Sequence, residues 1–166
     1  MVTGVDTFRY YTIEGTELAE THTQMNNKDR EITTKYSCHC WTSTEKLIVC
    51  TEAGEIIQCD SDGSYMCYIP ESPTDEDFKI QAIIPNERGL IVAGNTSGSS
   101  NDDQKTAKVY VYENVEDEKI CYRLISKDPI EVKMDANQVG SNMNFQLSSM
   151  CLNHSEDAIF FTTKSN

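Results

Sequence analysis

The side chains best suited to chemistry cluster at Cys38-His39-Cys40, with Cys50, Cys59 and Cys67 following. Cysteine and histidine at such spacing first suggest zinc. Zinc sites, however, favour cysteines separated by two to four residues and placed on turns, where the thiolates converge. Cys38 and Cys40 lie in Tyr36–Trp41, a run of strand composition, where alternation sends both thiols to one face and His39 to the other. That arrangement packs a core and does not gather ligands. A Cys–His nucleophile pair would need His22, His39 or His154 as its base, yet none stands in a catalytic context. Thiols on apolar strands should also have raised pKa values and low reactivity. The acidic run Asp75-Glu76-Asp77 and the pair Asp102-Asp103 lack the alternating oxygen ligands of a calcium loop, and no phosphate-binding glycine loop is present. The expectation is a non-enzymatic chain with no catalytic residue, no cofactor and no metal ligand.

The element that carries these cysteines is Tyr36–Asp60. It holds three runs of strand composition, Tyr36–Trp41, Leu47–Thr51 and Glu55–Cys59, separated by Thr42–Glu45 and the Gly54 corner. Connections this short force antiparallel neighbours, because parallel strands need a long crossover. The same construction recurs. Trp41 and Leu47 stand six positions apart, as do Ile84 and Leu90, and Leu152 and Ala158. Each pair encloses a polar turn and is followed by an apolar strand: Leu-Ile-Val-Cys-Thr, Leu-Ile-Val-Ala-Gly and Ala-Ile-Phe-Phe-Thr. Third strands match as well, with Glu55–Asp60, Lys108–Glu113 and Thr7–Thr12 alike. Fourth strands are read at Leu18–His22, Ser64–Ile69 and Lys119–Ile125.

Trp41 to Ile84 spans 43 positions, within the roughly 40–45 residues of a four-stranded propeller blade. Sheets with apolar residues on both faces must be covered on both, and radial stacking of neighbours does this. The expected fold is therefore all-β, a partial WD40-like propeller of antiparallel blades, with a two-sheet sandwich as the alternative. The units are read as 1–25 (two outer strands of a blade), 32–69 (a full blade), 78–127 (a full blade with an insertion) and 145–166 (two inner strands). Two expansions, Asn95–Lys105 and Lys127–Asn144, are read as loops able to carry interaction. Trp41, the single tryptophan, is read as core. These units are too few to close a ring, so the chain is expected to be a piece of a longer polypeptide with open sheet faces, prone to associate when expressed alone.

The 166 residues include 27 acidic and 14 basic side chains, for a net charge of -13. Such a field repels nucleic acid and anionic membrane surfaces. No apolar run approaches the roughly 20 residues of a membrane helix, and no secretory signal opens the chain. Seven cysteines, most of them inside apolar alternating runs, fit a reducing, cytoplasmic setting.

The units resemble WD repeats with worn signatures: Cys59-Asp60, Tyr112-Glu113 and Tyr11-Thr12 stand where Trp-Asp would. More narrowly, Tyr36–Trp41, Leu47–Gly54, Ser148–Asp157 and Thr162–Asn166 resemble the WD-repeat cilia- and flagella-associated proteins, in particular members whose propellers precede a long coiled coil. That resemblance implies a protein–protein interaction scaffold of the axoneme that helps to position inner dynein arms. Its partners would be the remaining blades, axonemal dynein or other ciliary components, with no small-molecule substrate. A cytosolic WD scaffold unrelated to cilia is the alternative, and a propeller enzyme ranks below both.

Overall fold

In the computed structural model, which describes residues 2–4, 7–21, 35–71, 73, 77–96, 107–115, 121–132 and 145–165, every regular element is a strand. Each strand pairing is antiparallel. The first sheet contains β1 (Val2–Gly4), β2 (Thr7–Glu14) and β3 (Glu17–Thr21). The second contains β4 (Tyr36–Trp41), β5 (Leu47–Thr51), β6 (Ile56–Cys59) and β7 (Tyr65–Tyr68), paired in chain order. The third runs β8 (Phe78–Asn86), β9 (Gly89–Thr96), β10 (Ala107–Asn114) and β11 (Tyr122–Leu124), with β12 (Ile130–Val132) also on β10. The fourth is the hairpin of β13 (Phe145–Leu152) and β14 (Ile159–Ser165).

β-branched and aromatic residues populate these strands because they fit a pleated, buried surface. In β5 and β9 every residue but Thr96 is buried, so these strands need cover on both faces. Alternation assigns the faces. Leu47, Val49, Ile57 and Cys59 point one way and pack with Phe8 of the first sheet. Ile48, Cys50 and Ile56 point the other way, against Ile80, Ile83, Leu90, Val92, Tyr110 and Tyr112 of the third. Ala82, Ile91, Ala93, Ala107 and Val109 then turn to Leu147 and Met150 of the fourth. The sheets therefore stack face on face in chain order. Each large apolar side chain fully buried in such an interface contributes about 1.5–3 kcal/mol.

The backbones of neighbouring sheets approach most closely along first strands, β4 with β8 and β8 with β13. Farther out, the gap between the second and third sheets is filled by larger groups. Tyr110 meets Phe78 edge-on at 5.0 Å, and Tyr122 and Leu124 complete the cluster.

A bulge recurs in each first strand, at Ser37, Gln81 and Ser148. From each bulge a paired run of equal length leads to the hairpin: 38–42, 82–86 and 149–153, leaving 43–45, 87–88 and 154–157 as the turns. A bulge inserts one residue and reverses the alternation beyond it. Residues three apart therefore share a face, as Ile80 and Ile83 do, and Leu147 and Met150.

Several expectations are corrected by these registers. The six-residue offset is a pairing register only at Trp41↔Leu47, since Ile84 pairs with Ile91 and Leu152 with Ile159. The turns differ in length, so the repeat is carried by the bulge. The N-terminal unit has a third strand, β1, which a stretch of only three residues does not announce. Within the region read as the loop Lys127–Asn144, Ile130–Val132 forms β12 and pairs with Val109–Ala107. It continues the edge that β11 begins, after the chain steps away from β10. Asn95 and Thr96, read as loop, end β9. Residues 97–106 and 133–144 lie outside the described residues.

Candidate functional site

Cys38 and Cys40 point with Cys50 into the interface between the second and third sheets. Cys59 faces the first sheet, and Cys151 is exposed on the fourth. Burial pushes the Cys40 thiol up to about 12 and Cys59 up to about 12, and raises Cys50 as well. Cys38 departs from this pattern. It pairs directly across the strands with Cys50, whose thiol hydrogen bond lowers its pKa, and Ser37 Oγ at 3.8 Å adds a second donor. Among the described residues, no group of three or more His, Cys, Asp or Glu is placed to hold a metal.

Among the described residues, His39 and His154 do not converge on these thiols. His39 is half-buried on β4, where burial lowers its pKa, and His154 is exposed in the β13–β14 turn. His22 lies outside the described residues, as do Asp75, Glu76, Asp102 and Asp103, while Asp77 is exposed just before β8. Trp41 is not core. It is 38% exposed and rests against the ring of Tyr10 at 5.8 Å, on the rim between the first and second sheets.

At the worn Trp-Asp positions the acids make surface ion pairs. Asp60 Oδ1 accepts from Lys46 Nζ at 2.8 Å and from Ser61 N at 2.7 Å, and the Lys46 contact holds its carboxyl below the usual range. Glu113 Oε1 accepts from Arg123 Nε at 3.0 Å. Exposed pairs of this kind contribute little to stability.

The polar groups that join one sheet to the next are different residues, and sequence reasoning missed them. Asn95 is 6% exposed. Its Nδ2 donates to Leu147 O at 3.0 Å, and its Oδ1 accepts from Leu147 N at 2.9 Å. One side chain thereby imitates a strand neighbour for the residue just before the Ser148 bulge. Between the second and third sheets, Glu71 serves a similar purpose from a left-handed backbone (φ 61). Its carbonyl accepts from Tyr112 Oη at 2.9 Å, and its Oε2 accepts from Leu124 N at 3.2 Å. At the hairpin end, Glu87 N donates to Glu156 Oε2 at 2.9 Å, joining the turns of the third and fourth sheets. The one sequence signal was an asparagine ending an apolar run, and it reads equally as a turn.

Two faces remain without a neighbour among the described residues. On the first sheet, Ile13 and Leu18 pair across the strands at 78% and 68% exposure. On the fourth, Phe160 pairs with Cys151, and both are exposed. Cys151 stands at the position that Cys40 and Ile84 occupy in the preceding sheets, counted from the bulge, and those two are packed against the next sheet.

These features define a class: an all-β protein of antiparallel sheets stacked in chain order, with Cys40, Cys50 and Cys59 packed in its core and buried polar groups that bind sheet to sheet. No family model matches the chain. Over 101 residues it is 28% identical to cilia- and flagella-associated protein 57 A of Tetrahymena thermophila. The match covers 61% of this chain and 7% of that protein, so the chain spans a small part of the relative's length.

Proposed function

We propose that the chain contributes successive blades to a WD40-like β-propeller that serves as a non-catalytic protein–protein interaction scaffold in the cilium. The carrying observation is the stack itself, in which sheets follow one another in chain order and converge along first strands that each carry a bulge at one distance from the turn. A two-layer sandwich has a single interface, whereas three interfaces join these four sheets. The ciliary part rests on the similarity to the Tetrahymena protein. In this reading the scaffold belongs to the axoneme, where it helps to place inner dynein arms, and its partners are other blades and ciliary proteins. Imaging the tagged full-length protein in ciliated cells tests the placement. Enrichment along the axoneme is expected. Exclusion from cilia would leave a cytosolic scaffold and remove the dynein-arm role.

A further inference from the structure

Strand register sets one pair of thiols face to face. Cys38 on β4 stands directly opposite Cys50 on β5. Opposed residues of an antiparallel pair project to the same side of the sheet, with Cβ atoms about 4.5–5.5 Å apart. Both side chains accordingly pack in the cluster between the second and third sheets. Elsewhere in the described strand pairings, cysteine faces no thiol: Cys40 lies opposite Ile48, Cys59 opposite Leu47 and Tyr65, Cys67 opposite Gln58, and Cys151 opposite Phe160. Cys38 Sγ also accepts from Ser37 Oγ at 3.8 Å. Cys38 is only partly buried, whereas Cys50 is fully enclosed.

We propose that Cys38 and Cys50 are an oxidation site, where a peroxide converts the opposed thiols to a disulfide that clamps β4 to β5. The inference needs only the pairing of these two strands and stands apart from any ciliary role. Opposed Cα atoms in such a pair stand about 4.5–5.5 Å apart, inside the span of about 4.4–6.8 Å that a disulfide bridges. β4 is an edge strand paired with β5 alone, and the Ser37 bulge bends it beside Cys38. The sulfurs can therefore close without disturbing a second strand pairing. Hydrogen bonds from Cys50 and Ser37 favour the Cys38 thiolate and lower its pKa, and the thiolate is the reacting form. Cys38 sulfur attacks a peroxide oxygen, the O–O bond breaks, and Cys38 becomes a sulfenic acid as water leaves. Burial raises the Cys50 pKa and shields it from dissolved oxidant, so Cys50 acts second. Its sulfur displaces the sulfenic hydroxyl, which departs as a second water with the Cys50 proton. Two thiols lose two electrons, and one hydrogen peroxide becomes two waters.

The test treats the folded, full-length protein with hydrogen peroxide, then blocks remaining thiols with N-ethylmaleimide in denaturant. Trypsin and a protease cutting after glutamate place Cys38 and Cys40 in 36–45 and Cys50 alone in 47–52. The expected result is a linked 36–45/47–52 peptide that dithiothreitol separates. Its fragmentation should put the bond on Cys38 and N-ethylmaleimide on Cys40. In a Cys50→Ala variant, Cys38 should instead accumulate as a sulfenic acid that dimedone traps, and absence of that adduct would remove Cys38 as the attacking thiol. Peroxide treatment of the native protein that leaves Cys38 and Cys50 fully blocked, or that joins either to another cysteine, overturns the proposal.

Discussion

The Asn95 side chain and the Leu147 backbone form a closed pair of hydrogen bonds, 3.0 Å and 2.9 Å, between the third and fourth sheets with both residues buried. Two adjoining sheets ordinarily meet through apolar side chains alone. Here one amide fixes their relative height, because a shift of either sheet would strand a buried donor and a buried acceptor together.

Replacing that amide should be expensive. Asn95→Leu leaves Leu147 N and Leu147 O without these partners, at a cost of about 1–3 kcal/mol for each buried group stranded. Asn95→Asp separates the contributions by pH. Its carboxylate can accept from Leu147 N but opposes the Leu147 carbonyl, so the folded state favours the protonated acid and raises its pKa. Stability gained that way is present at low pH and lost as pH rises, so the Asp variant's deficit should widen from acid to neutral pH. The Leu variant's deficit should stay flat. Denaturant titration of the full-length protein across that range distinguishes the two.

Gly94 is required by close approach. A Cβ there would stand 2.1 Å from Lys79 O and 2.8 Å from Phe78 Cζ. Phe78 is itself locked edge-on to Tyr110. Gly94→Ala must therefore spread β8 from β9 and should destabilise by about 1–3 kcal/mol. A lowered thermal midpoint is the readout, and an unchanged one would contradict this register.

His39 supplies an acid sensitivity. Burial lowers its pKa from the ordinary 6.5, so the fold favours neutral imidazole. The unfolded chain takes up a proton near 6.5, so this contribution is complete above that pH and is lost as pH falls toward the lowered folded value. Stability should decline through this window in the native protein, and His39→Gln should flatten that part of the profile.

The open faces predict association. Ile13, Leu18 and Phe160 are each more than half exposed, and large apolar faces of this kind bind one another. The isolated 166-residue chain should elute as oligomers or aggregate. The combined changes Ile13→Lys and Phe160→Lys should increase the monomer fraction in size-exclusion chromatography. A native chain that is monomeric and melts sharply and reversibly would contradict this reading.

Much of the fold was legible because period-two alternation and short turns are local signals. Tyr36–Trp41 and Leu47–Thr51 were read from sequence with the bounds the structure gives them. The bulges were not legible, because one inserted residue leaves composition unchanged while reversing the face of everything beyond it. Strict alternation would set Ile80 and Ile83 on opposite faces, yet they point together. Asn95 was hidden for a related reason, since an asparagine after an apolar run signals a turn unless its distant partner, Leu147, is known. Trp41 was read inward by position in the strand, but the neighbouring sheet covers only part of its ring. The face of Cys38 and Cys40 followed from alternation alone, because both lie beyond the Ser37 bulge.

In the proposed propeller these sheets are consecutive blades arranged about one axis with first strands innermost. A cryo-electron microscopy structure of the full-length protein tests it most directly. In that structure β4, β8 and β13 should stand side by side around a central channel, with further sheets covering Ile13 and Phe160. A two-layer sandwich, or β4 and β8 on the outer rim, would contradict it.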